Sequence, residues 1–217
     1  MQKKGLKYSN FARFFAYWLV SVVLLGTCTS YRYPVQELWG LTVRSTDTAT
    51  DRYNRKDWKH WIDADHDCQN TREEVLIREA QSIEFADAQG CKILRGIWVD
   101  PYSGQTITSP SELDVDHMVP LHDAHKSGGA LWNAERKQAY ANYLDDPRHL
   151  RAVRRDLNRD KGDKSPDLWL PPSPTIRCSY VRDWLAIKQR WQLSITPTEA
   201  DTVRTMITDC GNGHALQ

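Results

Sequence analysis

The chain has 217 residues, of which 40% are hydrophobic and nine are tryptophan, so it can form a folded domain and is not a disordered chain. The formal charge is +1, but four basic residues and no acidic residue lie in the first 27 positions. The other 25 basic and 28 acidic residues carry a net charge of −3, which excludes binding of a polyanion through overall charge. Such binding would need a local basic surface.

The N-terminus has the layout of a secretory signal. Basic residues up to Arg13 precede a mostly apolar run at 14–26, which is shorter than the roughly 20 residues that span a bilayer. We therefore expect a signal peptide at 1–28, a flexible arm at 29–52 and one domain at 53–217, with no stable membrane span in the mature chain. Two alternatives stay open: an uncleaved anchor, and a lipid anchor on Cys28, because residues 25–28 resemble a bacterial lipobox.

The cysteine count predicts a disulfide framework. If Cys28 belongs to the export segment, four of the five cysteines remain, and an even set in an exported chain predicts two disulfides. Among the possible connectivities we choose pairing of sequence neighbours, Cys68 with Cys91 and Cys178 with Cys210. Each bond is expected to stabilise the fold by roughly 3–4 kcal/mol. The absence of any C-x-x-C disfavours a zinc site built from these cysteines.

Hydrophobic spacing and turn residues predict an α+β fold. An aromatic and basic stretch at 53–61 comes first, and packing of Trp58 and Trp61 on a helix is favoured there over a stacking platform for bases. The elements expected after it are a helix opened by the capping pattern Thr71-x-x-Glu74, a β-hairpin at 91–108, a strand at 113–121, a helix at 134–144, a strand at 149–153, and helices at 155–161 and 180–192.

Asp116, His117 and Asn158 form the candidate catalytic set. Asp116 and His117 lie in the strand at 113–121, and Asn158 lies in the short helix at 155–161. Carboxylate and amide oxygens are hard ligands, so Asp116 and Asn158 suit one Mg²⁺ or Mn²⁺ ion better than zinc. His117 stays off the metal and can accept a proton from an attacking water. This combination suits hydrolysis of a phosphodiester.

The surroundings of Asn158 are strongly basic. Residues 148–164 contain seven Lys or Arg and three Asp, a local excess on a chain that is not basic overall. Lys161 lies one helical turn beyond Asn158, and Arg159 and Arg155 flank it. We expect Lys161, with Arg159 or Arg155, to contact phosphates of the substrate.

Several segments together resemble a known nuclease family. Residues 114–121, Asp-Val-Asp-His-Met-Val-Pro-Leu, resemble the first half of the HNH, or His-Me finger, motif. With residues 146–153, 158–163 and 169–172, the chain is similar to secreted bacterial HNH endonucleases and to the C-terminal nuclease domain of GmrSD-type restriction enzymes. The resemblance covers residues 53–210 and implies a ββα-metal core with extra helices, a β-hairpin and two disulfides. It also implies that Asp116 and Asn158 are metal ligands and His117 the general base.

His149 departs from the family pattern, which has asparagine at this middle position. In the family, that asparagine braces the loop carrying the base through backbone hydrogen bonds. A neutral histidine offers one donor and one acceptor, so we expect His149 to keep this role in the catalytic site with altered geometry. A third metal ligand at His149 and an impaired site remain alternatives.

We therefore expect a metal-dependent endonuclease, exported from a bacterium, that cleaves nucleic acid, DNA more than RNA, with little sequence specificity. Two other classes stay open. His117, His122 and His125 lie close together and would suit an exported zinc hydrolase acting on peptide or cell-wall bonds, although no H-E-x-x-H is present. The second is a non-catalytic exported binding module whose site is degenerate at His149.

Overall fold

The computed structural model describes residues 40–44 and 52–211. The expected signal peptide, Cys28 and nearly all of the arm lie outside the described residues. Within the described part no helix has the length and apolar character needed to cross a bilayer. The helices are α1 (Thr71–Glu79), α2 (Leu121–Lys126), α3 (Ala134–Ala141), α4 (Arg155–Lys161), α5 (Arg177–Trp191) and α6 (Pro197–Gly211). The strands are β1 (Ser82–Phe85), β2 (Ile93–Val99), β3 (Thr106–Ile107), β4 (Leu113–His117) and β5 (Leu150–Arg154).

The strands form two antiparallel sheets, so the expected α+β architecture is confirmed at this level. β1, β2 and β3 make a three-stranded sheet in that order, and β4 pairs with β5. The β4–β5 register sets His117 opposite Leu150 and Leu113 opposite Arg154. α4 begins directly after β5, while residues 118–149 separate the two strands in sequence. β4, β5 and α4 therefore form a strand–strand–helix unit, which carries the candidate catalytic set.

Within this unit, two polar side chains of β4 face two polar side chains of α4, because each pair lies on one face of its own element. Asp114 and Asp116 share one face of β4 because successive side chains of a strand alternate. Asn158 and Lys161 share one face of α4 because they are three residues apart. Gly162 then ends the helix: its φ is +55°, which favours glycine, and its N–H donates to the Asn158 carbonyl at 2.9 Å. Two strand carboxylates consequently oppose one amide and one ammonium.

Two groups of buried apolar side chains hold the unit in place. One joins α1, the three-stranded sheet and the β4–β5 pair, and consists of Val75, Leu76, Trp98, Ile107, Leu113, Val115, Leu150 and Ala152. The other contains Val153 of β5 and extends through residues 118–149 to α5 and α6, with Trp58, Tyr140 and Trp184 fully buried. Each large apolar side chain contributes about 1.5–3 kcal/mol by burial. The strand–strand–helix unit is thus packed from two sides.

Both disulfides have the predicted pairing. Cys68–Cys91 joins the segment before α1 to the loop between β1 and β2, and Cys178–Cys210 joins α5 to α6. The paired cysteines are 23 and 32 residues apart in sequence, a length for which loop entropy gives roughly 3–4 kcal/mol of stabilisation per bond. The second bond fastens the last described helix to the core.

Three elements, β1, α2 and α6, were not expected from the sequence. The strand expected to continue to residue 121 ends at His117, and α2 begins directly after Pro120, whose restricted φ suits a helix start. The N-cap of α1 is Asn70 rather than Thr71, because the Asn70 side chain accepts a hydrogen bond from the Arg72 N–H. These differences move boundaries and leave the strand–strand–helix order unchanged.

Candidate metal and base site

One cleft of about 330 Å³ brings the candidate catalytic set together. Asp116 and His117 line it from the end of β4, and Asn158 lines it from α4. The rest of its wall consists of Tyr53, Arg55, Val115, Pro120, Leu121, His122, Gly162 and Asp163. A carboxylate, an imidazole and an amide from separate parts of the chain therefore share one small polar space.

Asp116 is held through both of its oxygens. Its Oδ1 accepts a hydrogen bond from Lys161 Nζ at 2.8 Å, and its Oδ2 accepts one from the Tyr102 hydroxyl at 2.6 Å. Burial raises the pKa of Asp116, and the Lys161 ammonium and the Tyr102 hydroxyl oppose that rise. Lys161 is fully buried and also donates to the His117 carbonyl at 3.0 Å. Lys161 thus ties Asp116 to the backbone of His117 and does not face the cleft, where the sequence placed it as a phosphate contact.

His117 is oriented by the C-terminal end of α3. Its Nε2 lies 3.0 Å from the Ala141 carbonyl oxygen, which assigns the ring proton to Nε2 and the lone pair to Nδ1. Trp61 stacks on the ring with centroids 5.6 Å apart. Burial lowers the pKa of His117 well below its ordinary value, and the positive charge of Arg55 acts in the same direction. The imidazole is therefore neutral near pH 7 and able to accept a proton.

His149 lies behind His117 and does not line the cleft. It is fully buried, and its Nε2 lies 2.7 Å from the carbonyl oxygen of Tyr140, next to Ala141. The last carbonyls of a helix have no partner inside the helix, so α3 offers adjacent acceptors to both histidines. Burial lowers the pKa of His149 to about 4, which keeps the ring neutral. This placement fits the expected bracing role and takes His149 away from the position of a third metal ligand.

The side chain of Asn158 is oriented by Asp114, a carboxylate for which the sequence predicts no separate role. Its Nδ2 donates to Asp114 Oδ2 at 3.2 Å. A carboxylate accepts and cannot donate, so this contact selects the amide end that faces Asp114 and leaves Asn158 Oδ1 as the end free for other partners. The signal for Asp114 was its position two residues before Asp116, on the same face of β4.

The expected phosphate contacts of α4 lie beside the cleft rather than in it. Arg155 and Arg159 line a separate groove of about 440 Å³. The Nε atom of Arg155 lies 3.5 Å from Asp114 Oδ1, whereas Arg159 is exposed. The Arg155 and Arg159 side chains therefore offer positive charge near the site without reaching its centre.

The aromatic and basic stretch at 53–61 contributes more than packing. Trp58 is fully buried against Tyr140, as the packing interpretation predicts, although only residues 55–57 are helical there and form a short 3₁₀ turn. Trp61 instead contacts His117, and Arg55 lines the cleft. Alternation of aromatic and basic residues was the sequence signal for this segment, but it did not single out Arg55.

The ring nitrogens of the three histidines in the zinc alternative do not form one metal-binding cluster. His122 Nδ1 lies 2.7 Å from Asp163, His125 packs edge-on against Tyr53, and His117 is held by α3. Within residues 40–44 and 52–211, one group of at least three acidic, histidine or cysteine side chains has ligand atoms within 4.8 Å of one another, namely Asp63, Asp65 and Asp67. This group contains none of the three histidines, so the geometry does not favour a histidine-based zinc site.

The fold and site define a disulfide-bonded α+β protein with an acid, a neutral histidine and an oriented amide in one cleft. The family model for the C-terminal domain of GmrSD restriction endonucleases matches residues 70–203, and the chain belongs to this family. An uncharacterized secreted protein of the fungus Arthroderma benhamiae is 39% identical over 173 residues, covering 80% of this chain and 82% of the relative. No solved structure matches the chain. A fungal relative lends no support to the expected bacterial origin.

Proposed function

We propose that the protein is a metal-dependent endonuclease that hydrolyses phosphodiester bonds of nucleic acid, DNA more than RNA, with little sequence specificity. The observation that carries this proposal is the shared cleft of His117, Asp116 and Asn158, in which the histidine is neutral and held through Nε2. Membership in a restriction-endonuclease family supports it. The strand–strand–helix unit is then a ββα-metal, or His-Me finger, site.

The residues present fit one hard divalent ion. A carboxylate has about four lone-pair positions, so Asp116 can bind a cation while Lys161 and Tyr102 each use one. Asn158 Oδ1 would be the second ligand, because Asp114 holds the other end of the amide. When bound, Mg²⁺ or Mn²⁺ would neutralise charge on the phosphate oxygens and on the leaving 3′-oxygen.

Proton transfer is the task of His117. Its Nδ1 lone pair accepts the proton of the water that attacks phosphorus, and the bond from phosphorus to the 3′-oxygen breaks. The Ala141 carbonyl favours the imidazolium that forms, since its hydrogen bond raises the pKa of His117 against the effect of burial. Stacking on Trp61 fixes the plane of the ring during the transfer. His149, bonded to the neighbouring carbonyl, holds the same helix end in place.

Asp114→Ala is expected to weaken metal binding although neither proposed ligand is changed. Without Asp114 the Asn158 amide loses the acceptor that decides which end faces the cleft. Loss of such an orienting partner typically costs 10–100-fold in metal affinity. Calorimetric titration with Mn²⁺ measures the effect. The control is Asp156→Ala, which removes an exposed carboxylate from α4, the helix that carries Asn158. Equal Mn²⁺ affinity of Asp114→Ala and the unmodified protein would contradict the orienting role of Asp114.

Plasmid cleavage tests the proposed function directly. The disulfide-bonded protein is incubated with supercoiled plasmid and Mg²⁺ or Mn²⁺, with and without a chelator, and in parallel with single-stranded DNA and RNA. We expect open-circular and linear DNA only in the samples with free metal. One tightly bound zinc per chain without cleavage would instead support the zinc hydrolase. Metal-independent binding without turnover would support the non-catalytic module.

We also propose that the protein is exported. The similar fungal protein is described as secreted, and two disulfides join all four cysteines after Cys28. Disulfides persist in oxidising compartments outside the cytosol. Fractionation of the source organism, followed by mass measurement of the mature chain, would locate the protein and show whether Cys28 is retained with a lipid.

A further inference from the structure

We infer that Arg55 binds a phosphate of the substrate inside the cleft and is the principal cationic side chain there. This inference rests on the proposed function, because it takes the substrate to be a phosphodiester. Arg55 is the one lysine or arginine among the described residues that line the cleft with Asp116, His117 and Asn158. The phosphate contact that the sequence predicts for Lys161 is therefore assigned to Arg55, which lies more than a hundred positions earlier.

The other charges at the cleft leave Arg55 available. Lys161 is buried and bonded to Asp116, and Arg155 and Arg159 line a different groove. Asp163, the remaining carboxylate of the cleft wall, lies 2.7 Å from His122. Arg55 is exposed and takes part in none of the ion pairs formed by the described residues. No direct salt bridge within the described part of the chain therefore occupies its guanidinium.

The backbone that carries Arg55 is anchored on both sides. Asn54 caps the short 3₁₀ helix at Arg55–Asp57 by accepting from the Lys56 N–H at 3.1 Å. Trp58 follows at once and is fully buried beside Gly129, where a Cβ atom would approach its ring to 2.9 Å. A backbone held by packing needs no ordering when a ligand binds, so only the Arg55 side chain has to be fixed.

The same segment is tied to the helix that orients the base. The Asn142 side chain at the end of α3 donates to the Lys59 carbonyl at 2.8 Å and accepts from the Ile62 N–H at 3.2 Å. Trp61, between them, stacks on His117. The segment at 53–62 and α3 therefore form one framework, which fixes Arg55 relative to the proposed base.

Arginine suits this position chemically. A guanidinium presents donors in a planar fork that matches two oxygens of a phosphate. Burial raises the pKa of the Tyr53 hydroxyl and the nearby Arg55 opposes that rise, so the two groups are neighbours, and a guanidinium with five donors keeps others for a ligand. Apart from the proposed metal ion, the described lining of the cleft offers the substrate anion no other lysine or arginine.

Arg55 also lies outside the family-matched residues 70–203. Tyr53, Arg55 and Trp61 all come from the preceding segment, yet they line the cleft or contact His117. The family domain as matched thus supplies the proposed base and ligands, and the segment before it supplies the substrate cation.

Binding measured without cleavage tests this inference. The parent is the full disulfide-bonded chain carrying His117→Ala, with Mg²⁺ present, and fluorescence anisotropy follows labelled single-stranded and duplex oligonucleotides over a range of salt concentrations. Arg55→Gln in this parent is expected to weaken binding roughly tenfold or more, the loss of one charge-assisted contact. The slope of log affinity against log salt should fall by about 0.9 for duplex and about 0.7 for single strands.

Two matched variants make the result specific. Lys56→Gln removes the same charge from the same 3₁₀ turn, but Lys56 is exposed and lines a different groove, so affinity and slope should stay within twofold of the parent. Arg55→Lys keeps the charge without the fork and should fall between Arg55→Gln and the parent. Thermal melting of all variants checks that the fold is retained.

The outcomes separate this inference from the proposed function. If Arg55→Gln binds like the parent, or if Lys56→Gln loses as much, the inference is overturned, while plasmid cleavage by the unmodified protein would still support the nuclease. If the parent binds no oligonucleotide, the inference is likewise overturned. A third outcome is that Arg55→Gln, but not Lys56→Gln, lowers the affinity and the salt slope while the unmodified protein shows no cleavage. That outcome would support the phosphate contact of Arg55 and contradict the proposed nuclease activity.

Discussion

Replacing His117 by alanine is expected to lower the rate of phosphodiester cleavage by roughly 10²–10⁴-fold, the usual contribution of a general base. His117 is the neutral imidazole of the cleft, and its Nε2–H is committed to Ala141, so Nδ1 is the group that takes the proton of water. His149 cannot substitute for it, because its ring is fully buried and bonded to Tyr140. Initial rates on plasmid DNA with saturating Mg²⁺ measure the loss.

The His117→Ala protein should remain folded. The substitution leaves the Ala141 carbonyl without its donor, which costs about 1–3 kcal/mol, against a typical domain stability of about 5–15 kcal/mol. The matched control is added imidazole, which can occupy the space left by the ring and should restore part of the rate. His149→Asn, which returns a donor for the Tyr140 carbonyl, should keep most of the activity. Full activity of His117→Ala would show that another group takes the proton.

Lys161→Met is expected to lower the free energy of unfolding by about 3–5 kcal/mol, the usual cost of removing one partner from a buried ion pair. Lys161 is fully buried and its ammonium lies 2.8 Å from Asp116. Without it the Asp116 carboxylate keeps only the Tyr102 hydroxyl, and the His117 carbonyl loses a donor. Urea denaturation followed by tryptophan fluorescence measures the change.

Lys164→Met is the matched control for Lys161→Met. Lys164 follows α4 and pairs with Asp160 at 3.5 Å, but both side chains are exposed, so the expected loss is below about 1 kcal/mol. The double variant Asp116→Asn/Lys161→Met should recover part of the stability lost in Lys161→Met, because an amide carries no charge to leave unpaired. Equal unfolding free energies for the Lys161 and Lys164 variants would contradict a buried clamp on Asp116.

Much of the candidate site was predictable because it is encoded locally. The spacing of Asp116 and His117 in one short apolar run, and of Asn158 in a short helix stopped by Gly162, predicts two strands and a helix around one point, and the structure has that order. The disulfide pairing was accessible for a related reason, since nearby cysteines close short loops at little entropic cost.

Two helices, α2 and α6, could not be predicted from local sequence patterns. The apolar run continues past His117 and predicts a longer strand, but β4 ends there and α2 begins after three intervening residues, directly following Pro120. α6 carries few large apolar residues, and Val203 and Met206 become buried because α5 and the Cys178–Cys210 bond hold the helix against the core. Tertiary packing, not propensity, stabilises such an element.

The sequence by itself determined which residues form the strand–strand–helix unit and which of them have the chemistry of a base and of hard ligands. Only the tertiary structure decided that Lys161 is a buried clamp on Asp116, that His149 donates to the end of α3, and that Arg55 enters the cleft. Lys161 is 45 residues from Asp116, and Arg55 lies outside the unit, whereas His149 and Tyr140 are nine residues apart but are joined by an irregular loop. Periodicity specifies the face of a strand or helix on which a side chain lies, whereas the burial and partner of that side chain depend on what packs against the face.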